Sequence, residues 1–125
     1  MNKKVGIIGN GYLGKAFTRF FQDHYEVRVY DVVNSPNTKE EINECDLAVI
    51  CVPTNSNPDG SADTSAVDET MDWLTGPLVC LKSAVPPSWG HAKEFEGFKY
   101  DRLCISPEYM GESKYFTPFW KYPSP

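Results

Sequence analysis

A buried strand that stops at a glycine turn and reopens as a helix leaves few folds open to a chain, and this chain begins with that arrangement. Lys4-Val5-Gly6-Ile7-Ile8 is a mostly apolar run, Gly9-Asn10-Gly11-Tyr12-Leu13-Gly14 follows at once, and Leu13, Ala16, Phe17, Phe20 and Phe21 recur at helical spacing. Each glycine in Gly9-x-Gly11-x-x-Gly14 has a physical task. Gly9 permits the tight turn, Gly11 lets backbone approach a ligand, and Gly14 lets the helix pack close to the strand.

A helix starting near Tyr12 points unpaired N–H groups and its positive dipole end at whatever lies over the turn, which favours phosphate. The dipole contributes about 0.3 to 1 kcal/mol per charge at an exposed site, so directed backbone hydrogen bonds must supply the rest. Asp31 stands twenty residues after Gly11 and closes the second apolar run, Val27-Arg28-Val29-Tyr30. There its carboxylate is placed to accept hydrogen bonds from the adenosine ribose and to repel a 2'-phosphate. The reading is a dinucleotide site that prefers NAD to NADP. The plain alternative is an ordinary strand-to-helix turn with incidental glycines.

At 125 residues the chain is one domain in length and long enough to bury an independent core. Twelve Lys and Arg stand against seventeen Asp and Glu, a formal charge of -5, which argues against general binding to nucleic acid. Cys45, Cys51, Cys80 and Cys104 form no C-x-x-C pair and read as buried reduced thiols, and His24 and His91 are too separated to suggest a metal site. The first apolar run is too short for a signal peptide and no segment approaches spanning length, so no membrane role is expected and the cytoplasm is the expected compartment.

Further along, Asn34-Ser35-Pro36-Asn37 is turn chemistry before a short helix around Lys39 to Asn43. Leu47-Ala48-Val49-Ile50-Cys51-Val52 is a continuous apolar run suited to a central parallel strand, ended by Pro53. Residues 53–63 make a loop rich in Pro, Asn, Ser and Gly, and Asp63 is placed to cap a helix through about Leu74 with Val67, Met71 and Leu74 on one face. Leu78-Val79-Cys80-Leu81 and Arg102-Leu103-Cys104-Ile105 are two more strands, with a weaker helical segment over 90–95 between them. The alternation predicts an α/β fold: a single Rossmann-like domain with a doubly wound parallel sheet of five strands in the order 3-2-1-4-5. The domain is expected over 1–113. Residues 114–125 form an aromatic and proline-rich tail, read as packing over the sheet edge or as a docking surface.

Three more strings fall at strand ends: Cys51-Val52-Pro53-Thr54, Lys82-Ser83-Ala84-Val85-Pro86 and Ser106-Pro107-Glu108-Tyr109-Met110-Gly111-Glu112. Together with the glycine turn they resemble the amino-terminal domain of the UDP-glucose and GDP-mannose dehydrogenase family, over nearly the whole chain to about Ser113. Members oxidise a nucleotide-sugar alcohol to a carboxylate in two NAD-dependent steps through a cysteine thiohemiacetal and thioester.

The resemblance implies that Gly9, Asn10, Gly11, Tyr12, Leu13, Gly14 and Asp31 hold NAD, with Val52, Pro53, Thr54 and Ser83 lining the cleft toward the nicotinamide. It places Glu112 near the nicotinamide ribose and gives Glu108 acid-base work on water. Lying four apart, Glu108 and Glu112 also suit one helix face beside a cofactor, or simply a solvated first turn.

Two departures stand out: Ala84 where the family usually has threonine, and Ser113 where glycine is common. The family's catalytic lysine, asparagine and nucleophilic cysteine fall beyond Pro125, so the 125 residues are expected to be incompetent alone and to need a partner chain for the nucleotide-sugar site, in a homo- or hetero-oligomer. A non-catalytic NAD-binding or regulatory module is the alternative. A dehydrogenase of β-hydroxy acids is a third reading, opposed by Val52-Pro53-Thr54 and Ser106-Pro107-Glu108.

Overall fold

The structure, a computed structural model, describes residues 3–86, 88–89 and 102–106. Eight elements follow one another: β1 (Lys4–Ile8), α1 (Tyr12–Phe21), β2 (Glu26–Tyr30), α2 (Lys39–Asn43), β3 (Leu47–Ile50), α3 (Ser65–Trp73), β4 (Leu78–Leu81) and β5 (Leu103–Ile105). All strand pairs are parallel. The doubly wound α/β sheet expected from the sequence is present, and its helices cover both faces.

On one face α1 lays Leu13, Phe17 and Phe21 over Val5, Ile7, Val49 and Cys51. On the other, Ile42 of α2 and Val67, Met71 and Leu74 from α3 and its end bury Ile8, Ala48, Ile50, Val79 and Leu81. The apolar stripe read along α3 is therefore its core face. Thr64, rather than Asp63, occupies the cap position, yet Asp63 still accepts the Ser65 N–H at 3.0 Å. At α2 the capping is reciprocal: Thr38 accepts from the Glu41 N–H while the Glu41 carboxylate accepts from the Thr38 N–H.

One detail differs from the sequence reading. The strand order is β2-β1-β3-β4-β5, not 3-2-1-4-5. Burial explains the exchange. β3 is buried from Ala48 to Ile50 and needs a neighbour on each side, whereas β2 carries Glu26 and Arg28 and is more exposed along its length. Arg28 bonds the Glu26 and Glu44 carboxylates at 3.0 and 2.9 Å and the Glu41 carbonyl at 2.8 Å, a charged rim suited to a sheet edge. Growth of the sheet thus reverses at β1, with β3 on the side opposite β2, and the crevice of an open α/β sheet falls at that switch point.

Candidate functional site

Tyr30, Ile8, Ile50, Leu81 and Ile105 are successive register partners at the carboxyl ends of the five strands. Above this rung the loops after β1 and β3 diverge around a cleft of about 700 Å³, within the roughly 300 to 1,000 Å³ of small-molecule sites. The floor is backbone. Gly9 has a φ of +102°, and a Cβ there would stand 2.7 Å from the Cys51 carbonyl oxygen, so the two loops close on each other with no side chain between them. A Cβ on Gly14 would run into the Gly9 carbonyl, which brings α1 hard against the turn. At Gly11, by contrast, a Cβ would meet nothing within 4 Å. That space opens where the sequence reading puts a ligand.

Gly11 is the cap residue of α1 and, lacking a side chain, supplies no side-chain cap to that helix start. The first N–H groups of a helix lack intrahelical partners, so the entrance to α1 presents donors and a positive dipole end to the cleft. Asp31 flanks it. Its Oδ2 accepts the Asn10 N–H at 2.7 Å and its Oδ1 accepts the Val33 N–H at 3.3 Å, while the Gly9 N–H donates to the Tyr30 carbonyl at 2.9 Å. A carboxylate has about four acceptor positions, so these two bonds orient Asp31 without exhausting it.

The opposite wall is the loop after β3. Val52, Pro53, Thr54 and Asn55 line the cleft, and the rest of the loop braces itself. The Asp59 carboxylate accepts from the Ser61 N–H and hydroxyl at 2.9 and 2.6 Å, which holds its pKa below the ordinary aspartate range. Asn57 N–H donates to the Ser61 carbonyl and Asp63 N–H to that of Asn55. Ser83 lines the cleft, but its hydroxyl is buried and donates to the Val52 carbonyl at 2.7 Å. It therefore ties the end of β4 to the wall instead of presenting a free hydroxyl.

The cleft gathers Gly9, Asn10, Gly11, Tyr12, Leu13, Asp31, Val52, Pro53, Thr54 and Ser83. Gly14 stands behind the turn. Glu108 and Glu112, and the 114–125 tail, lie outside the described residues. The expected helical segment over 90–95 does too. Among the described residues no cluster of three or more metal-ligating side chains occurs, and no helix is long and apolar enough to cross a membrane.

Among the lining residues that the sequence reading did not assign to the site, Tyr30, Trp73 and Lys82 carry the most chemistry. Tyr30 and Trp73 meet edge to face, 5.2 Å between ring centroids, with the Lys39 ammonium within 6 Å of both rings. Tyr30 precedes Asp31 directly, and that adjacency was the available signal. Lys82 lines the far side of the cleft, bonded to the Ser106 hydroxyl at 3.0 Å and lying over the Phe17 ring.

A parallel sheet wound both ways from β1, with its crevice over a glycine turn, is the architecture of a Rossmann-fold domain. The similarity is specifically to nucleotide-sugar dehydrogenases. In sequence the chain is similar to the UDP-glucose 6-dehydrogenase of Streptococcus pneumoniae, at 29% identity over 89% of this chain and 37% of that protein. In fold it is similar to a UDP-glucose dehydrogenase from the archaeon Pyrobaculum islandicum, with a TM-score of 0.70 and 21% identity over 90% of this chain and 37% of that one. It is also similar to the GDP-mannose dehydrogenase of Pseudomonas aeruginosa, solved as a ternary complex, with a TM-score of 0.69 and 19% identity over 87% of this chain and 37% of that one. No family model matches. The resemblance carried by the four motifs is borne out, and the chain spans a little over a third of the length of the relatives it matches.

Proposed function

We propose that this chain is the NAD-binding part of a nucleotide-sugar dehydrogenase acting on a UDP-glucose- or GDP-mannose-like substrate. The observation that carries the reading is the pairing of an oriented Asp31 carboxylate with a helix start that opens on a glycine cap and free space at Gly11. The pyrophosphate lies over Gly11 and the start of α1, where main-chain donors and the dipole favour it. The adenosine ribose hydroxyls donate to Asp31, and the adenine rests against Tyr30 and Trp73. A 2'-phosphate is disfavoured by the same carboxylate. The nicotinamide extends toward Thr54, Ser83 and Lys82.

NAD supplies the hydride acceptor for oxidation of the sugar alcohol. The chain's own work is to bind the dinucleotide, fix its orientation through main-chain donors and Asp31, and wall the reacting end with the Ser83-braced loop. We assign Glu112 to the nicotinamide ribose and Glu108 to proton transfer with water. The described cysteines offer no activated nucleophile in the cleft: Cys51 is buried at the floor, burial pushes the Cys45 and Cys80 thiols up, and Cys104 is not among the cleft-lining residues. The sugar site and nucleophile therefore come from elsewhere, and these 125 residues alone bind cofactor without completing either oxidation.

Calorimetric titration with NAD and NADP tests the cofactor reading, and NADH absorbance with UDP-glucose or GDP-mannose tests turnover. Saturable NAD binding, weaker NADP binding and no NADH are expected. Equal affinity for the two cofactors, or no binding of either, overturns the assignment of the cleft.

A further inference from the structure

Away from the cleft's floor, two thiols face each other across the last pair of strands. Cys80 of β4 and Cys104 of β5 are direct register partners. Parallel neighbours lie roughly 4.8 Å apart, inside the roughly 4.4 to 6.8 Å Cα separation that a disulfide spans. Both side chains are on the α1 face: Cys80 packs beside the cluster under α1, and Leu103, next to Cys104, packs on the opposite face. Burial of all four thiols, expected from the sequence, holds only for Cys45 and Cys51: Cys104 is exposed and Cys80 partly so, because β5 is the edge strand beside β4. One pleat further along the same strands, Lys82 bonds Ser106 at the cleft wall.

We propose that Cys80 and Cys104 form a reversible dithiol–disulfide site, oxidised by hydroperoxides. The exposed Cys104 sulfur attacks the peroxide, the O–O bond breaks, an S–O bond forms and Cys104 becomes a sulfenic acid as one oxygen leaves as water. The Cys80 sulfur then attacks the Cys104 sulfur. The S–S bond forms, the S–O bond breaks, and the hydroxide leaves as water with the Cys80 proton. In sum, two thiols are oxidised and one peroxide is reduced to two waters. Burial, with a further contribution from Cys104, holds the Cys80 thiol above its ordinary range, while Lys82 opposes that shift. Cys80 is thus the resolving partner and Cys104 the first to react.

The test is hydrogen peroxide treatment of the folded chain, followed by thiol counting in denaturant and peptide mapping. Of the four thiols, two are expected to disappear, with a mass loss of about 2 Da, a linked pair of peptides containing Cys80 and Cys104, and full recovery with dithiothreitol. In Cys80→Ser the linked peptide is absent and Cys104 carries the oxygen. Cys104→Ser, at an exposed position, keeps its remaining thiols through the same treatment. Over-oxidised Cys104 beside an intact Cys80 thiol in the wild type, a Cys104–Cys104 dimer, or a linkage through Cys45 or Cys51 overturns the proposal.

Discussion

The Asn10 N–H donates to the Asp31 carboxylate at 2.7 Å, joining the glycine turn after β1 to the end of β2. One side chain thereby shapes the turn and holds a negative charge at the mouth of the cleft. Asp31→Ala is expected to weaken NAD binding by about 1.5 to 3 kcal/mol, roughly tenfold or more, and to narrow the preference over NADP. Calorimetry with both cofactors measures it. An unchanged preference contradicts the role given to Asp31.

Gly11 and Gly14 should separate binding from stability. Gly11→Ala adds a methyl to open space, so the melting transition is expected to stay within about 0.5 kcal/mol of wild type while NAD affinity drops because the pyrophosphate is held off. Gly14→Ala pushes into the Gly9 carbonyl and is expected to cost about 1 to 3 kcal/mol of stability. Thermal unfolding with and without NAD distinguishes them. If Gly11→Ala binds like wild type, the pyrophosphate does not lie over that residue.

The Tyr30–Trp73 pair predicts an optical signal. NAD is expected to quench tryptophan emission, and Trp73→Phe should abolish most of that change while Trp89 and Trp120 still emit. Trp73→Leu should weaken affinity by about 0.5 to 1.5 kcal/mol, the usual value of an aromatic contact beyond its area. Quenching that survives in Trp73→Phe moves the adenine elsewhere.

The reciprocal cap of α2 sets a pH dependence. Hydrogen bonds, first from the Thr38 N–H and then from Asn37, hold the Glu41 carboxyl below its usual 4.5. The folded chain therefore binds fewer protons there than the unfolded chain. The stabilisation is complete above the ordinary glutamate range and is lost as pH falls through the folded-state value. In melting experiments, the deficit of Glu41→Ala relative to wild type should shrink on acidification below 4.5. Thr38→Ala should cost about 1 kcal/mol at neutral pH. A deficit for Glu41→Ala that holds constant into acid contradicts the cap as its source.

The local elements were legible because each has a signal within a few residues: glycines at the β1–α1 turn, an uninterrupted apolar run in β3, spaced Val67, Met71 and Leu74 in α3. Asp31 was legible from its distance to Gly11. The strand order was not read correctly, although its determinant was present, because Arg28 and Glu26 mark β2 as an edge only once the burial of β3 on both sides is weighed against them. Trp73 was hidden for a related reason. It lies off the apolar stripe of α3, and its partner Tyr30 is forty-three residues away in sequence. Ser83 lines the cleft, and only the three-dimensional arrangement gives its hydroxyl to the Val52 carbonyl.

At Gly9 the turn after β1 rests on the Cys51–Val52 peptide, backbone against backbone. Such a base is indifferent to most exchanges of amino acid around it, provided the few positions without room for a methyl are kept. The rim can consequently be rewritten, by evolution or by design, to meet a different protein neighbour while the bed beneath stays the same shape.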